Sequence, residues 1–213
     1  TMLGAMVNRD DIAAPDLTSL RVVLSGGAPL AKELVRRVVT RLGCDYVQTY
    51  GMTETSPYLT VSLLKPHHAA LPFEEKLRIK PRTGRPFGGI ELRVVDDAGA
   101  PVPADDRTVG EIRVRGETVT PGYWNREDAT RAAFSEGFLR TGDLAVVDAE
   151  GYVDIVDRRK DIILTGGENV YSIEVENVLY RHAAVLEAAV IGVPDEKWGE
   201  AVHAVVALRP GAS

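Results

Sequence analysis

The sequence predicts a mixed α/β protein in three parts. A helix-covered, largely parallel sheet portion occupies residues 1–80, and a small antiparallel β-barrel subdomain occupies 81–158. Residues 159–213 form the start of a small α+β C-terminal domain. Three observations predict this. Residues 20–50 run strand, glycine loop, amphipathic helix, strand, the order that builds a parallel sheet under helices. Residues 90–158 are short β-prone runs separated by Gly and Asp turns, as in a small barrel or sandwich. Residues 162–208 hold one helix and a few strands, too little apolar surface to stand alone.

The elements follow in order. Leu20-Arg21-Val22-Val23-Leu24 reads as a short buried strand running into Ser25-Gly26-Gly27-Ala28-Pro29. Leu30, Leu34, Val35, Val38, Val39 and Leu42 then recur at helical spacing, with Pro29 at the first helical position and Gly43 as the stop. Asp45 to Thr49 resumes as a strand and ends at Tyr50-Gly51-Met52-Thr53-Glu54. In a parallel pair both loops leave strand C-termini, where ligands gather, so they are expected to face one crevice. Pro66, Pro72, Pro81 and Pro86 stand among charged residues and mark 60–88 as a long surface excursion. Strands are expected at Ile90 to Val95 and Gly110 to Arg115, a short helix from Asn125 to Phe134, and a hairpin over 138–160 turning at Asp148-Ala149-Glu150-Gly151. Beyond it come Ile162 to Leu164, a helix capped by Ser172 with Val178, Leu179 and His182 on its stripe, and strands Glu187 to Val193 and Glu200 to Leu208.

Composition narrows the function. Hydrophobic content of 45% with 26% charged residues is that of an ordinary globular protein. No run approaches the roughly 18 apolar residues of a membrane span, and no export signal is visible at the N-terminus. A net charge of −6 argues against a nucleic-acid binder. The cluster Arg36, Arg37 and Arg41 reads as cations complementing the end of a helix. Cys44 is the single cysteine; an internal disulfide is excluded, a cytoplasmic location is expected, and the thiol reads as a small core residue. His67-His68 reads as solvated, without ligand partners.

The hairpin carries the most chemistry. Asp143, just after Thr141-Gly142, can accept from two vicinal hydroxyls, and Arg158 can donate to the same pair, which is a grip for a ribose. The same two residues also describe an exposed ion pair on a polar hairpin. Tyr50 offers an aromatic face for a purine, or is a strand-end core residue. Thr53 has a hydroxyl that can reach a phosphate oxygen and Glu54 a hard oxygen for Mg²⁺, unless the two open a helix as a capping pair. Gly26, Gly27 and Gly51 permit close approach of backbone to a ligand, or simply tight turns.

Five motifs in fixed order resemble the AMP-forming adenylating superfamily of acyl-CoA synthetases, adenylation domains and beetle luciferases. They are Ser25 to Leu30, Gln48 to Glu54, Gly110-Glu111-Ile112 through Gly116 to Pro121-Gly122-Tyr123, Arg140 to Leu144, and Asp157 to Asp161. The resemblance implies a two-step ligase using ATP (and releasing AMP), Mg²⁺ and CoA. It implies nucleotide contacts from Gly27, Ala28, Pro29, Gln48, Thr49, Tyr50, Gly51, Met52, Thr53, Asp143, Ile155 and Arg158, catalytic roles for Thr53, Glu54 and Lys160, and Glu54 as the metal ligand. Lys160 falls at the family's domain hinge, and Gly166, Gly167 and Glu168 fall on the path of the CoA arm. Gly166-Gly167-Glu168-Asn169-Val170-Tyr171-Ser172 and the segment from Leu63 to Gly84 are most similar to fatty-acyl-CoA synthetases, bacterial long-chain ones in particular, so a fatty acid is the implied substrate. An aryl- or short-chain ligase, or a non-catalytic nucleotide-binding or assembly module, remain alternatives. A homodimer stays an open option for its partners.

Two departures qualify the resemblance. The family's Ser/Thr/Gly-rich phosphate loop and its late Ser-Gly-Lys lysine do not occur in these 213 residues. The chain is therefore expected to hold the middle and later part of such an enzyme and to be inactive by itself. Pyrophosphate exchange with ATP and a carboxylic acid, assayed on the 213-residue chain, should give no turnover.

Overall fold

A computed structural model describes residues 2–13, 15–28, 30–209 and 211–212. Helix α1 (Met2–Val7) and a 3-10 turn (Asp10–Ala13) precede strand β1 (Val22–Ser25). Helix α2 (Lys32–Leu42) crosses to strand β2 (Asp45–Tyr50), which pairs parallel with β1 from Val22↔Asp45 to Ser25↔Gln48. Val35, Val38 and Leu42 of α2 form one core with Val7, Cys44, Tyr46 and Leu77. The helix stops at Gly43, whose left-handed conformation (φ 65°) lets its N–H donate to the Val39 carbonyl. The apolar spacing that begins at Leu30 starts two residues before the helix does: Ala31 is extended, and Leu30 packs onto the core from the loop. Pro29 lies outside the described residues.

Arg41 stands in the last turn of α2 as expected, and the arginines also tie helices together. Arg36 pairs with Glu33 and with Glu74, Arg37 donates to Asn8 Oδ1 (2.7 Å), and Arg41 donates to the Val7 carbonyl (2.7 Å).

Residues 60–88 belong to the body of the protein, not to a surface excursion. Strand β3 (Thr60–Val61), a 3-10 turn (Pro66–Ala70), helix α3 (Phe73–Ile79) and strand β4 (Arg85–Pro86) follow one another, and the first sheet runs β1-β2-β3-β4 with the last two joins antiparallel. Polar side chains satisfy buried backbone here. Thr60 Oγ1 donates to the Thr83 carbonyl (2.6 Å), Ser62 Oγ to the Ile79 carbonyl (2.8 Å), and the buried Lys80 ammonium to Asp45. The prolines sit where no amide is needed, at the start of the 3-10 turn, before α3 and on a two-residue strand.

The second sheet is antiparallel and curled. Strands β5 (Ile90–Val95), β6 (Gly110–Gly116), β7 (Phe134–Ser135), β8 (Phe138–Val147) and β9 (Val153–Arg158) run in the order β5-β6-β8-β7, with β9 also on β8. Register shifts in the β6–β8 and β8–β9 pairs bend β8 around a core of Leu59, Val94, Ile112, Val114, Leu139, Ala145 and Val153. Helix α4 (Glu127–Ala133) lies beside β7. Glu111, 2% exposed, is paired with Arg140 (3.2 Å) and Arg113 (3.5 Å).

The third sheet runs β11-β10-β13-β12, from β10 (Ile163–Thr165), β11 (Glu168–Val170), β12 (Val185–Asp195) and β13 (Gly199–Leu208). Helix α5 (Ser172–Leu179) packs against β12 and β9, and His182 lies past its end. Ser172 is the first helical residue rather than the cap, and Tyr171 in the cap position makes no side-chain bond. The capping oxygen comes from another sheet: Asp157 Oδ2, on β9, accepts from the Ser172 amide at 2.5 Å. Replacing Asp157 by Ala should cost about 1 kcal/mol, the usual worth of an N-cap, and speed hydrogen exchange at the Ser172 amide. Asp157→Asn should keep most of the protection, and an unchanged exchange rate in the Ala variant would contradict this role.

Candidate active site

Parallel pairing of β1 and β2 brings their C-terminal ends to one edge of the sheet. Gly27 and Ala28 from the first loop, and Gln48, Thr49, Tyr50, Gly51 and Met52 from the second, line a single cavity of about 550 Å³. Thr141, Gly142 and Asp143 of β8 and Ile155 and Arg158 of β9 form the facing wall. Pro81, Thr83, Arg159, Lys160 and Ile173 complete it.

The two loops are stitched together by side chains. Gln48 Nε2 donates to the Ala28 carbonyl (3.1 Å) while Gln48 Oε1 accepts from the Tyr46 hydroxyl, and Thr49 Oγ1 donates to the Ser25 carbonyl (3.1 Å). Gly51 is a packing requirement: a Cβ there would sit 1.7 Å from the Pro57 carbonyl oxygen.

Asp143 stands directly across the ladder from Arg158, placed there by the register shift between Leu144 and Ala145. Its backbone amide donates to Thr141 Oγ1 (3.1 Å), and that hydroxyl donates on to the Ile112 carbonyl (2.8 Å). The carboxylate's close partner is the Tyr50 phenol, which donates to Oδ2 at 2.5 Å; Arg158 Nε is 3.7 Å from Oδ1. Arg158 is 61% exposed against 15% for Asp143, so the guanidinium is the solvent-facing half of the pair. Burial raises the Asp143 carboxyl above its ordinary value, against the lowering pull of the Tyr50 hydrogen bond and of Arg158. Burial and the neighbouring Asp143 charge raise the Tyr50 phenol, so it stays a donor at neutral pH.

Other expected site residues lie elsewhere. Thr53 and Glu54 are on a one-turn 3-10 helix (Thr53–Thr55) beyond Met52, off the cavity wall. The reciprocal capping bonds of that turn come from Thr55 with Met52, not from the Thr53–Glu54 pair. Gly166, Gly167 and Glu168 form the β10–β11 hairpin, where the Gly166 amide donates to the Trp198 carbonyl (2.8 Å), and they are also off the wall. Pro29 falls outside the described residues. Thr83, Ile173, Pro81 and Arg159 went unassigned in the sequence because their contributions are tertiary. Thr83 Oγ1, for example, accepts from the Ile155 amide (3.0 Å) across the two sheets. Thr141 and Gly142 had a local signal, since they flank Asp143.

His67 and His68 do have a partner, contrary to expectation. His68 is buried, and both Nε2 atoms lie 3.2 Å from Glu150 Oε2. The group is a proton clasp, not a cation site. The Lys65 amide donates to His68 Nδ1 (3.2 Å), which leaves the proton of the neutral ring on Nε2 and denies a cation that lone pair. Lys65 Nζ also occupies Glu150 Oε2 (3.1 Å). Among the described residues no helix is long and apolar enough to cross a membrane.

Comparison with known proteins agrees with this architecture. Residues 1–124 match the AMP-binding enzyme family and 174–213 the AMP-binding enzyme C-terminal domain. A long-chain-fatty-acid–CoA ligase of Thermus thermophilus is 45% identical over 91% of this chain and 36% of its own length. The solved o-succinylbenzoate CoA synthetase of Bacillus subtilis, in complex with its acyl-adenylate intermediate, is 38% identical with a TM-score of 0.79, over 100% of this chain and 40% of that one. The amide bond synthetase of Marinactinospora thermotolerans is 36% identical with a TM-score of 0.86, over 99% and 41%. The chain belongs to the AMP-binding enzyme family. It spans about 40% of the length of these relatives.

The clasp has a defined pH window. The His68 hydrogen bond, then those of Lys65 and His67, hold the Glu150 carboxyl down at about 2 against an ordinary 4.5. A depressed carboxylate stabilises fully above its unfolded value and loses that contribution as pH falls through the folded one. Attachment of residues 65–68 to the hairpin should thus be complete above about pH 4.5 and lost toward pH 2. An NMR titration of the Glu150 carboxyl, with Lys65 amide exchange, checks it; Glu150→Gln should abolish the acid dependence.

Proposed function

We propose that the longer protein carrying this segment is an AMP-forming acid–CoA ligase acting on a long- or medium-chain fatty acid. The observation that carries the reading is the convergence, on one cavity, of both strand-end loops with the Tyr50–Asp143–Arg158 group. An apolar wall of Ala28, Met52 and Ile155 beside the Tyr50 ring suits a purine. Asp143 Oδ1, free of the Tyr50 bond, accepts from the ribose hydroxyls, with Arg158 donating to the same pair.

In this reading the acid's carboxylate attacks the α-phosphorus of ATP, and the bond to the departing pyrophosphate breaks. The CoA thiolate then attacks the acyl carbonyl and AMP leaves. This chain's share of the first step is positioning. Gln48 fixes the Ala28 loop, Asp143 fixes the ribose, and Thr53 donates to a phosphate oxygen. Glu54 suits Mg²⁺, because its carboxylate makes no ion pair among the described residues and Oε2 accepts no hydrogen bond there. When bound, the metal neutralises phosphate charge. Lys160 is the hinge about which residues 161–213 turn, and the Gly166–Glu168 hairpin borders the path of the thiol in the turned state.

The 45% identical fatty-acid ligase supports the aliphatic acid. An aryl acid is the second reading, supported by the likeness to the o-succinylbenzoate enzyme. Pyrophosphate exchange by the full-length protein across a series of fatty and aryl acids separates them: the fatty series should peak, and a peak with aryl acids alone would displace it. Calorimetry of AMP with the 213-residue chain should show saturable heat that Asp143→Ala removes. No heat with the unaltered chain would mean that the ribose grip works only within the longer protein.

A further inference from the structure

The Pro121-Gly122-Tyr123 block has no part in the reading above, yet it makes a specific contact. The Tyr123 hydroxyl donates to Glu54 Oε1 at 2.8 Å, linking residues 69 apart in the chain. The loop that carries it is built for that contact. The Thr120 amide donates to the Glu54 carbonyl (2.7 Å), and the Tyr123 amide donates to Thr130 Oγ1 (2.9 Å), whose own proton goes to the Arg126 carbonyl (2.9 Å). Gly122, at φ 153°, passes so close to Thr130 that a Cβ would sit 2.6 Å from its methyl carbon.

The chemistry of the contact is selective. A phenol orients a carboxylate with one neutral O–H and leaves its negative charge in place, whereas an arginine or lysine would neutralise it. One Glu54 oxygen is thereby fixed, and the other accepts no hydrogen bond from the described residues. A carboxylate held by one oxygen suits a small hard cation, which keeps most of its waters and takes only one or two protein carboxylates.

We propose that Tyr123 is a positioning residue that holds Glu54 as a single-oxygen ligand for the divalent cation, through a loop of the curled sheet clamped onto the 3-10 turn that follows β2. This rests on the reading of Glu54 as the metal ligand given above.

The test uses the full-length protein with Mn²⁺ as probe in the presence of ATP, bound metal being read from water-proton relaxation. Tyr123→Phe keeps the ring and loses only the hydroxyl. It should weaken Mn²⁺ binding about 3- to 10-fold, the worth of one ordinary net hydrogen bond, without changing stoichiometry. In pyrophosphate exchange the half-saturating Mg²⁺ concentration should rise by a similar factor, with the maximal rate within about twofold. Glu54→Gln should reduce binding further, and adding Tyr123→Phe to it should have no additional effect. Mn²⁺ affinity unchanged in Tyr123→Phe overturns the proposal, as does a fall in maximal rate at unchanged affinity. Wild-type affinity in Glu54→Gln removes its premise. A protein that exchanges pyrophosphate with none of the acids, yet still shows these Mn²⁺ differences, would contradict the ligase reading and leave this one standing.

Discussion

Tyr50 ends a strand of the first sheet and Asp143 lies in the middle of a strand of the second, and the bond between their side chains closes the cavity. Most of the site's geometry depends on it. A buried carboxylate with no donor would be costly, and the exposed Arg158, 3.7 Å away, is too loose to compensate alone. The phenol fixes one oxygen, and the other has only the distant Arg158 beside it. It also anchors the tip of β2, whose next residue, Gly51, packs with no room for a side chain. Placing the tip in this way sets the positions of Met52 and of the 3-10 turn that follows.

The surrounding fold repeats this economy on a larger scale. Single polar side chains reach backbone of other elements: Thr83 to Ile155, Asp157 to Ser172 of α5, and Thr141 to Ile112 on the neighbouring strand β6. Each bond is worth only about 1 kcal/mol net, but leaving its buried partner unpaired costs more. Such contacts specify one arrangement of the sheets more than they add to overall stability. Apolar packing forms two cores, one under α2 and one inside the curled sheet, the latter also taking in Leu59, Tyr50 and Met52 from beside the first sheet.

Legibility in the sequence followed the range of the interactions. The β1–α2–β2 unit could be read because its signals are local: a run of branched residues, a 3.6-residue stripe and a glycine stop. The hairpin and its turn could be read, but the pairing of Asp143 with Arg158 depends on a register shift between Leu144 and Ala145, without which Asp143 would face Asp157. What could not be read was decided between distant segments. The segment 60–88 has the prolines and charges of a surface loop, yet Thr60 and Ser62 are buried because Thr83 and Ile79, 23 and 17 residues on, receive their hydroxyls, and Lys80 because Asp45 receives its ammonium. Ser172 has the composition of a cap, but the oxygen that caps α5 comes from a residue 15 positions earlier. His67 and His68 look solvated until Glu150 arrives from a turn more than 80 residues away.

The alternation of side chains along β9 has a structural consequence. Asp157 and its neighbour Arg158 point to opposite faces, the first buried beneath α5 and the second out toward the cavity. The strand end therefore serves two places at once: one face presents the guanidinium at the cavity, and the other presents the oxygen that receives the first amide of α5.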